Sequence, residues 1–175
     1  MKKPIAYAAS LLLALSAQVS IAQDKAKKEE PKKAESKEET KADVEVTIEG
    51  NDQMQYNKTA FTVTEGQTVK LTFKNVGKLP KAAMGHNVVI LTKGTDLPGF
   101  AAKAMAALAN EYIPTDKESK AKILANTKLL GPGESESITF TAPAAGEYDY
   151  LCTFPGHYAI MKGKMTVEAK KEEKK

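Results

Sequence analysis

From residue 43 onward the chain alternates apolar and polar positions with a period of two: Val44, Val46 and Ile48 are set against Glu45, Thr47 and Glu49. In an extended chain successive side chains point to opposite faces, so this alternation predicts a half-buried strand. Gly50, Asn51 and Asp52 follow as a turn. The same period returns at residues 61–63 and 69–73 around Glu65 and Gly66, and Asn75 to Gly77 closes that third strand. Residues 86–91 are almost continuously apolar, the pattern of a strand covered on both faces. Three further strands are predicted at 137–141, 147–152 and 164–168, with a turn at 143–146.

One stretch departs from the period of two. Phe100, Ala104, Leu108 and Tyr112 recur every four residues with Met105 beside them, which predicts a single amphipathic helix over 98–113 that stops before Pro114. Its Met and Leu read as packing residues. Residues 120–126 are expected to add a short helical turn. Seven to eight short strands with one short helical insertion predict an all-β fold, an antiparallel Greek-key sandwich.

The ends of the chain have a different composition. Residues 1–22 carry Lys2 and Lys3, an apolar run over 8–15, and small residues at Ser20 and Ala22, the layout of a secretory signal peptide, so a periplasmic protein is expected. That apolar run is shorter than the roughly 20 residues of a membrane-spanning helix, so no membrane span is expected after cleavage. With no cysteine near the cleavage point, lipoprotein processing is excluded. Residues 23–42 are rich in Lys, Glu and Ala and cannot bury enough surface to offset the entropy of ordering, which predicts a charged, disordered linker. Residues 170–175 form a charged tail of the same kind. The whole-chain charge of +4 resides in these ends, and the domain expected over 43–169 is close to neutral, so nothing favours nucleic acid as a partner. A single cysteine rules out an internal disulfide, and a monomer is expected.

The candidate chemistry is concentrated between two strands. Cys152, His157 and Met161 stand as C-x4-H-x3-M, and the other histidine of the chain, His86, begins the apolar run 86–91. Taken singly, each has an ordinary reading: Cys152 as a small buried side chain, Met161 as core filler, each histidine as a turn residue satisfied by hydrogen bonds. Taken together, two imidazoles, one thiolate and a thioether are the soft donor set of a blue-copper electron-transfer centre. A connection pinned at both ends by paired strands suits such a centre, because electron transfer is fast when geometry need not change. Copper storage or delivery would use the same donors in an open, exchangeable site, and Cys152 at a strand end argues against it. An enzyme would need a second metal centre or a nucleophile with its base, and no histidine remains for either.

Residues 43–169 resemble the azurins, bacterial type 1 copper proteins of the cupredoxin family. The resemblance is carried by residues 50–56 (Gly-Asn-Asp-Gln-Met-Gln-Tyr), by 79–81 and 84–87 (Leu-Pro-Lys and Met-Gly-His-Asn), by 127–131 (Thr-Lys-Leu-Leu-Gly), and by 152–157 (Cys-Thr-Phe-Pro-Gly-His) with 161–163 (Met-Lys-Gly). It implies one copper ion held by His86, Cys152 and His157, with Met161 and the Gly85 carbonyl as weak axial neighbours. It implies that Asn87 braces the ligand loop, while the amides of Asn87 and Phe154 donate to the Cys152 sulfur. It also implies that electrons pass through an exposed edge of His157. An apolar docking patch around that edge would comprise Met54, Leu79, Ala83, Met84, Met105, Phe154, Gly156 and Ala159, with Met54 and Phe154 the members most prone to be buried instead. The partners implied are redox proteins such as c-type cytochromes or a periplasmic reductase or peroxidase. Three departures stand out: Val44 and Gln67 occupy the positions of the usual azurin disulfide, Val88 that of a buried tryptophan, and Asn126 that of a non-ligand histidine.

Overall fold

The computed structural model describes residues 41–171. The signal peptide expected over 1–22, nearly all of the linker and the last residues of the tail lie outside them. Among the described residues eight strands form two sheets: β1 (Val44–Gly50), β3 (Thr68–Asn75) and β6 (Ser135–Thr141) make the smaller one, in the order β1-β3-β6. The larger has the order β2-β8-β7-β4-β5, built from β2 (Ala60–Thr64), β4 (Val89–Leu91), β5 (Ile123–Asn126), β7 (Gly146–Leu151) and β8 (Lys162–Glu168). The period of two does what it predicts. Val46 and Ile48 on β1, Val69, Leu71 and Phe73 on β3, and Val63, Tyr148, Tyr150, Met165 and Val167 from the larger sheet all point into one core. Each fully buried Ile, Leu or Phe among them contributes roughly 1.5–3 kcal/mol relative to exposure.

The expectation of an all-antiparallel sandwich is corrected at two pairings. β1 runs parallel to β3, with Val44 opposite Val69, and β2 runs parallel to β8, with Ala60 opposite Lys164. Alternation encodes which face of a strand is buried and is silent about the direction of its neighbour. The strand over 86–91 is shorter than expected, yet residues 85–91 are all buried. Val88 and Ile90 face the main core, whereas Val89 and Leu91 pack with Leu151 against Phe100, Ala101 and Ala104 of helix α2 (Leu97–Met105). The continuous apolar run thus reflects a sheet on one side and a helix on the other.

The single helix expected over 98–113 is also corrected. Helix α2 ends at Met105, a 310 turn covers Leu108–Asn110, and Glu111 and Tyr112 take left-handed backbone angles, φ 54° and 63°. Two interactions reward that strained turn: Glu111 pairs with Lys81 at 2.6 Å, and the Tyr112 ring meets Phe154 edge-on at 5.3 Å. Leu108, expected to pack, is instead 67% exposed. Farther on, the expected helical turn at 120–126 is split. Helix α3 (Lys117–Ala121) is capped by the Asp116 side chain, which accepts from the Ser119 amide, and 123–126 forms edge strand β5. A short helix the sequence reading did not anticipate, α1 (Lys81–Met84), precedes His86. No helix among the described residues is long and apolar enough to cross a membrane.

Hydrogen bonds close the start of the smaller sheet beside Val44 and Gln67. The Asp43 amide donates to the Thr68 carbonyl at 2.9 Å, and the Thr68 amide donates to the Asp43 carboxylate at 2.7 Å.

Candidate metal centre

Sheet register brings the candidate donors together. β4 and β7 are antiparallel, with Val89 opposite Leu151; carried two residues past the strand ends, that register sets Asn87 opposite Thr153. The two are joined there: the Thr153 amide donates to Asn87 Oδ1 at 2.9 Å, and Asn87 Nδ2 donates to Thr153 Oγ1 at 2.7 Å, all of it buried. His86 is held in an isolated bridge with Leu130: its amide donates to the Leu130 carbonyl at 3.1 Å, and its carbonyl accepts from the Leu130 amide at 2.7 Å. On the other side β7 and β8 are an antiparallel pair with Leu151 opposite Lys162, and the next pair inward is Cys152 with Met161, whose carbonyl accepts from the Cys152 amide at 3.0 Å.

The connection from 152 to 161 is therefore a closed hairpin loop. Gly156 turns it at φ +83°, a left-handed angle that costs glycine little. The following 310 turn, His157–Ala159, lets the Met161 amide reach the His157 carbonyl at 2.8 Å. His157 is fixed from the side by the Phe154 ring at 4.7 Å.

Within this frame the Cys152 sulfur lies 3.9 Å from His86 Nδ1 and 3.6 Å from His157 Nδ1, and the two nitrogens are 3.2 Å apart. The point equidistant from these three atoms lies about 2.1 Å from each, within the roughly 2.0–2.3 Å of metal bonds to imidazole nitrogen and thiolate sulfur. Three electron-pair donors packed this closely around one common point fit a cation. His86, Cys152 and Met161 are fully buried, while His157 keeps 3% of its surface exposed and is the one member of the four that reaches solvent. Met161 belongs to the same buried cluster as Cys152, and Gly85 is buried immediately before His86. A side chain at Gly85 would strike the Lys81 carbonyl and Leu129.

Burial sets the protonation of the metal-free site. It pushes the Cys152 thiol up to about 12, against the backbone amides of Asn87 and Phe154, whose hydrogen bonds to the sulfur favour the thiolate. Burial, helped by neighbouring His86, pushes His157 down to about 4. His86 is also lowered by burial, with the Asn51 backbone opposing, although its Nε2 has no hydrogen bond of ordinary geometry. At pH 7 the thiol therefore holds its proton and the rings are neutral. Loading Cu(II) near pH 7 is expected to release about one proton per ion, with a second released below about pH 4. Calorimetry in buffers of different ionisation enthalpy measures that count.

Several residues that brace the site were not anticipated. Thr153 pairs with Asn87; the Thr127 hydroxyl accepts from the Val88 amide at 3.0 Å; Asn75 Nδ2 donates to the Leu130 carbonyl at 3.0 Å, behind the His86 bridge. Only Thr153 stands among apolar neighbours; Thr127 follows Asn126 and precedes Lys128, and Asn75 follows Lys74, so nothing local singles those two out. Of the expected patch, Leu79, Met105, Ala83, Gly156 and Ala159 are exposed, Met54 and Met84 are half-buried, and Phe154 is buried. Ile160, in the same loop as His157, is 56% exposed.

The family model described as copper binding proteins of the plastocyanin/azurin family matches residues 42–168. The chain belongs to that family. Azurin-2 of Alcaligenes xylosoxydans xylosoxydans is 46% identical over 127 residues, which span 70% of this chain and 95% of that protein. Azurin of Pseudomonas aeruginosa is 40% identical over 132 residues, 73% of this chain and 86% of that protein. Among solved structures, dithionite-reduced auracyanin from Roseiflexus castenholzii superposes with a TM-score of 0.64 at 43% identity, covering 73% of this chain and 99% of that one. The plastocyanin/azurin domain thus accounts for the two-sheet fold, and its copper is the cation that the His-Cys-His triangle fits. Membership makes the chain an electron-transfer protein and not an enzyme.

Proposed function

We propose that this chain is a soluble blue-copper one-electron carrier between periplasmic redox proteins, such as c-type cytochromes or a periplasmic reductase or peroxidase. The observation that carries the reading is the triangle of Cys152 Sγ, His86 Nδ1 and His157 Nδ1, sized for one trigonal ion. In this reading His86, Cys152 and His157 are the strong ligands, and Met161 and the Gly85 carbonyl the weak axial ones. Residues 1–22 serve as a signal peptide, 23–42 as a charged linker, 43–169 as the working domain and 170–175 as a charged tail.

Copper supplies the Cu(I)/Cu(II) couple. The protein holds its donors still: His86 is clamped to Leu130, the ligand loop is closed by Cys152 and Met161, and the Asn87–Thr153 clasp joins the two. A cage fixed at three places needs little rearrangement when its charge changes by one. The full burial of Cys152 and His86 keeps water off the sulfur and directs exchange to the rim of His157. Around that rim the apolar side chains of Leu79, Ala83, Met105 and Ala159 suit a brief encounter, since redox partners use interfaces near the small end of the range. Met54, Met84, Phe154 and Gly156 complete that proposed patch.

Adding Cu(II) to the purified domain is expected to give an intense visible sulfur-to-copper charge-transfer band and a reversible one-electron wave. A colourless Cu(I) complex that surrenders its metal to a chelator within seconds would favour delivery instead. Met161→Leu is expected to keep the band and raise the potential, because losing a thioether donor disfavours the more highly charged Cu(II) state. Voltammetry on the two proteins side by side checks the sign.

A further inference from the structure

Tyr56 lies outside every role assigned so far, yet it touches the site at a sensitive place. It sits at the end of the β1–β2 turn, tied back by an isolated bridge to Gly50, and it is buried. Its hydroxyl donates to the Asn87 carbonyl at 2.5 Å. Asn87 follows His86 directly, clasps Thr153 with its side chain, and directs its own amide at the Cys152 sulfur. The turn that Tyr56 closes also carries Asn51, whose backbone faces the far side of the His86 ring. The Tyr56 ring is wedged edge-on against Phe73 at 6.0 Å and tilted against Tyr150 at 5.7 Å, so its hydroxyl has little freedom to point elsewhere.

We infer that Tyr56 is a positioning residue of the copper site: its hydroxyl anchors the His86-Asn87 segment and thereby sets how strongly the Asn87 amide donates to the Cys152 sulfur. The inference rests on the copper reading above. An amide hydrogen bond draws electron density from the thiolate and so favours Cu(I); outer-shell bonds of this kind are a recognised lever on a metal's potential. Loosening the anchor weakens that bond, leaves the sulfur more electron-rich, and favours Cu(II).

The test compares Tyr56→Phe with Tyr148→Phe. Tyr148 also donates its hydroxyl to a backbone carbonyl, that of Ala144 at 2.7 Å in the 143–146 turn, so its loss controls for removing a hydroxyl without disturbing Asn87. Both variants keep their rings, and Tyr56→Leu serves as a second probe of the same position. The copper forms are read by voltammetry and visible absorption, the metal-free forms by amide hydrogen exchange. Tyr56→Phe is expected to lower the potential, shift the charge-transfer band and speed exchange of the Asn87 and Thr153 amides at least tenfold, whereas Tyr148→Phe leaves all three at their wild-type values. A blue Tyr56→Phe protein with wild-type potential and band overturns the inference while leaving the copper reading intact. A wild-type protein that never turns blue sinks the copper reading itself.

Discussion

Cys152→Ser is expected to abolish the visible charge-transfer band and to weaken Cu(II) binding by more than about 100-fold. Loss of an outer-shell partner alone typically costs 10–100-fold, and here a primary donor is replaced by a hydroxyl that does not ionise near neutral pH. The band originates in the sulfur, so no other residue of the chain can supply it; Cys152 is the sole cysteine. The fold should survive. Serine is close in size, and the Asn87 and Phe154 amides that meet the sulfur can donate to its oxygen instead. Circular dichroism confirming the folded state, with absorption and a competitive copper titration, separates the two effects. Persisting blue colour in this variant would remove Cys152 from the site.

Asn87→Leu is expected to cost about 3–5 kcal/mol of stability. The substitution leaves the Thr153 amide and Thr153 Oγ1 buried without their partners, which stand at 2.9 and 2.7 Å in the native fold. Each unsatisfied buried group costs about 1–3 kcal/mol, and leucine adds some apolar contact in return. For a domain of this size the melting temperature of the metal-free protein should fall by roughly 10–20 °C. Thr153→Val, which removes the hydroxyl but keeps the amide bond to Asn87, should cost less than half as much. A double-mutant cycle between 87 and 153 should then report a coupling of about 1–3 kcal/mol, because the residues share both bonds. Additive losses would mean that the clasp does not join β4 to the ligand loop.

Much of the site was legible because part of it is local. Cys152, His157 and Met161 fall within ten residues, in a loop whose ends are two strands already marked by their alternation, so the meeting of Cys152 with His157 follows from a single hairpin. The patch residues were less legible. Met54 and Met84 are only half-exposed, and Phe154 turns inward because the loop wedges it between Tyr112 and His157. The helix expected over 98–113 ends early for a related reason. Spacing by four continues through Leu108 to Tyr112, but the helix ends at Met105, Leu108 is exposed, and Tyr112 turns at a left-handed angle to meet Phe154.

The sequence by itself determined which residues face the core, where most strands lie, and that the chain's only cysteine and both histidines form a soft donor set. It determined these because side-chain periodicity and donor chemistry are properties of neighbouring positions. Tertiary structure alone decided that β1 and β2 pair in parallel, that 123–126 closes the larger sheet, and that His86 reaches Cys152 and His157 across 66 and 71 residues. The physical reason is register: alternation says which side of a strand is buried, whereas which strand lies beside it, in which direction and at what offset, depends on how two sheets and a covering helix pack together. The same packing chose the braces, Thr153, Thr127, Asn75 and Tyr56, whose polar groups have no meaning until the carbonyl or amide opposite them is in place.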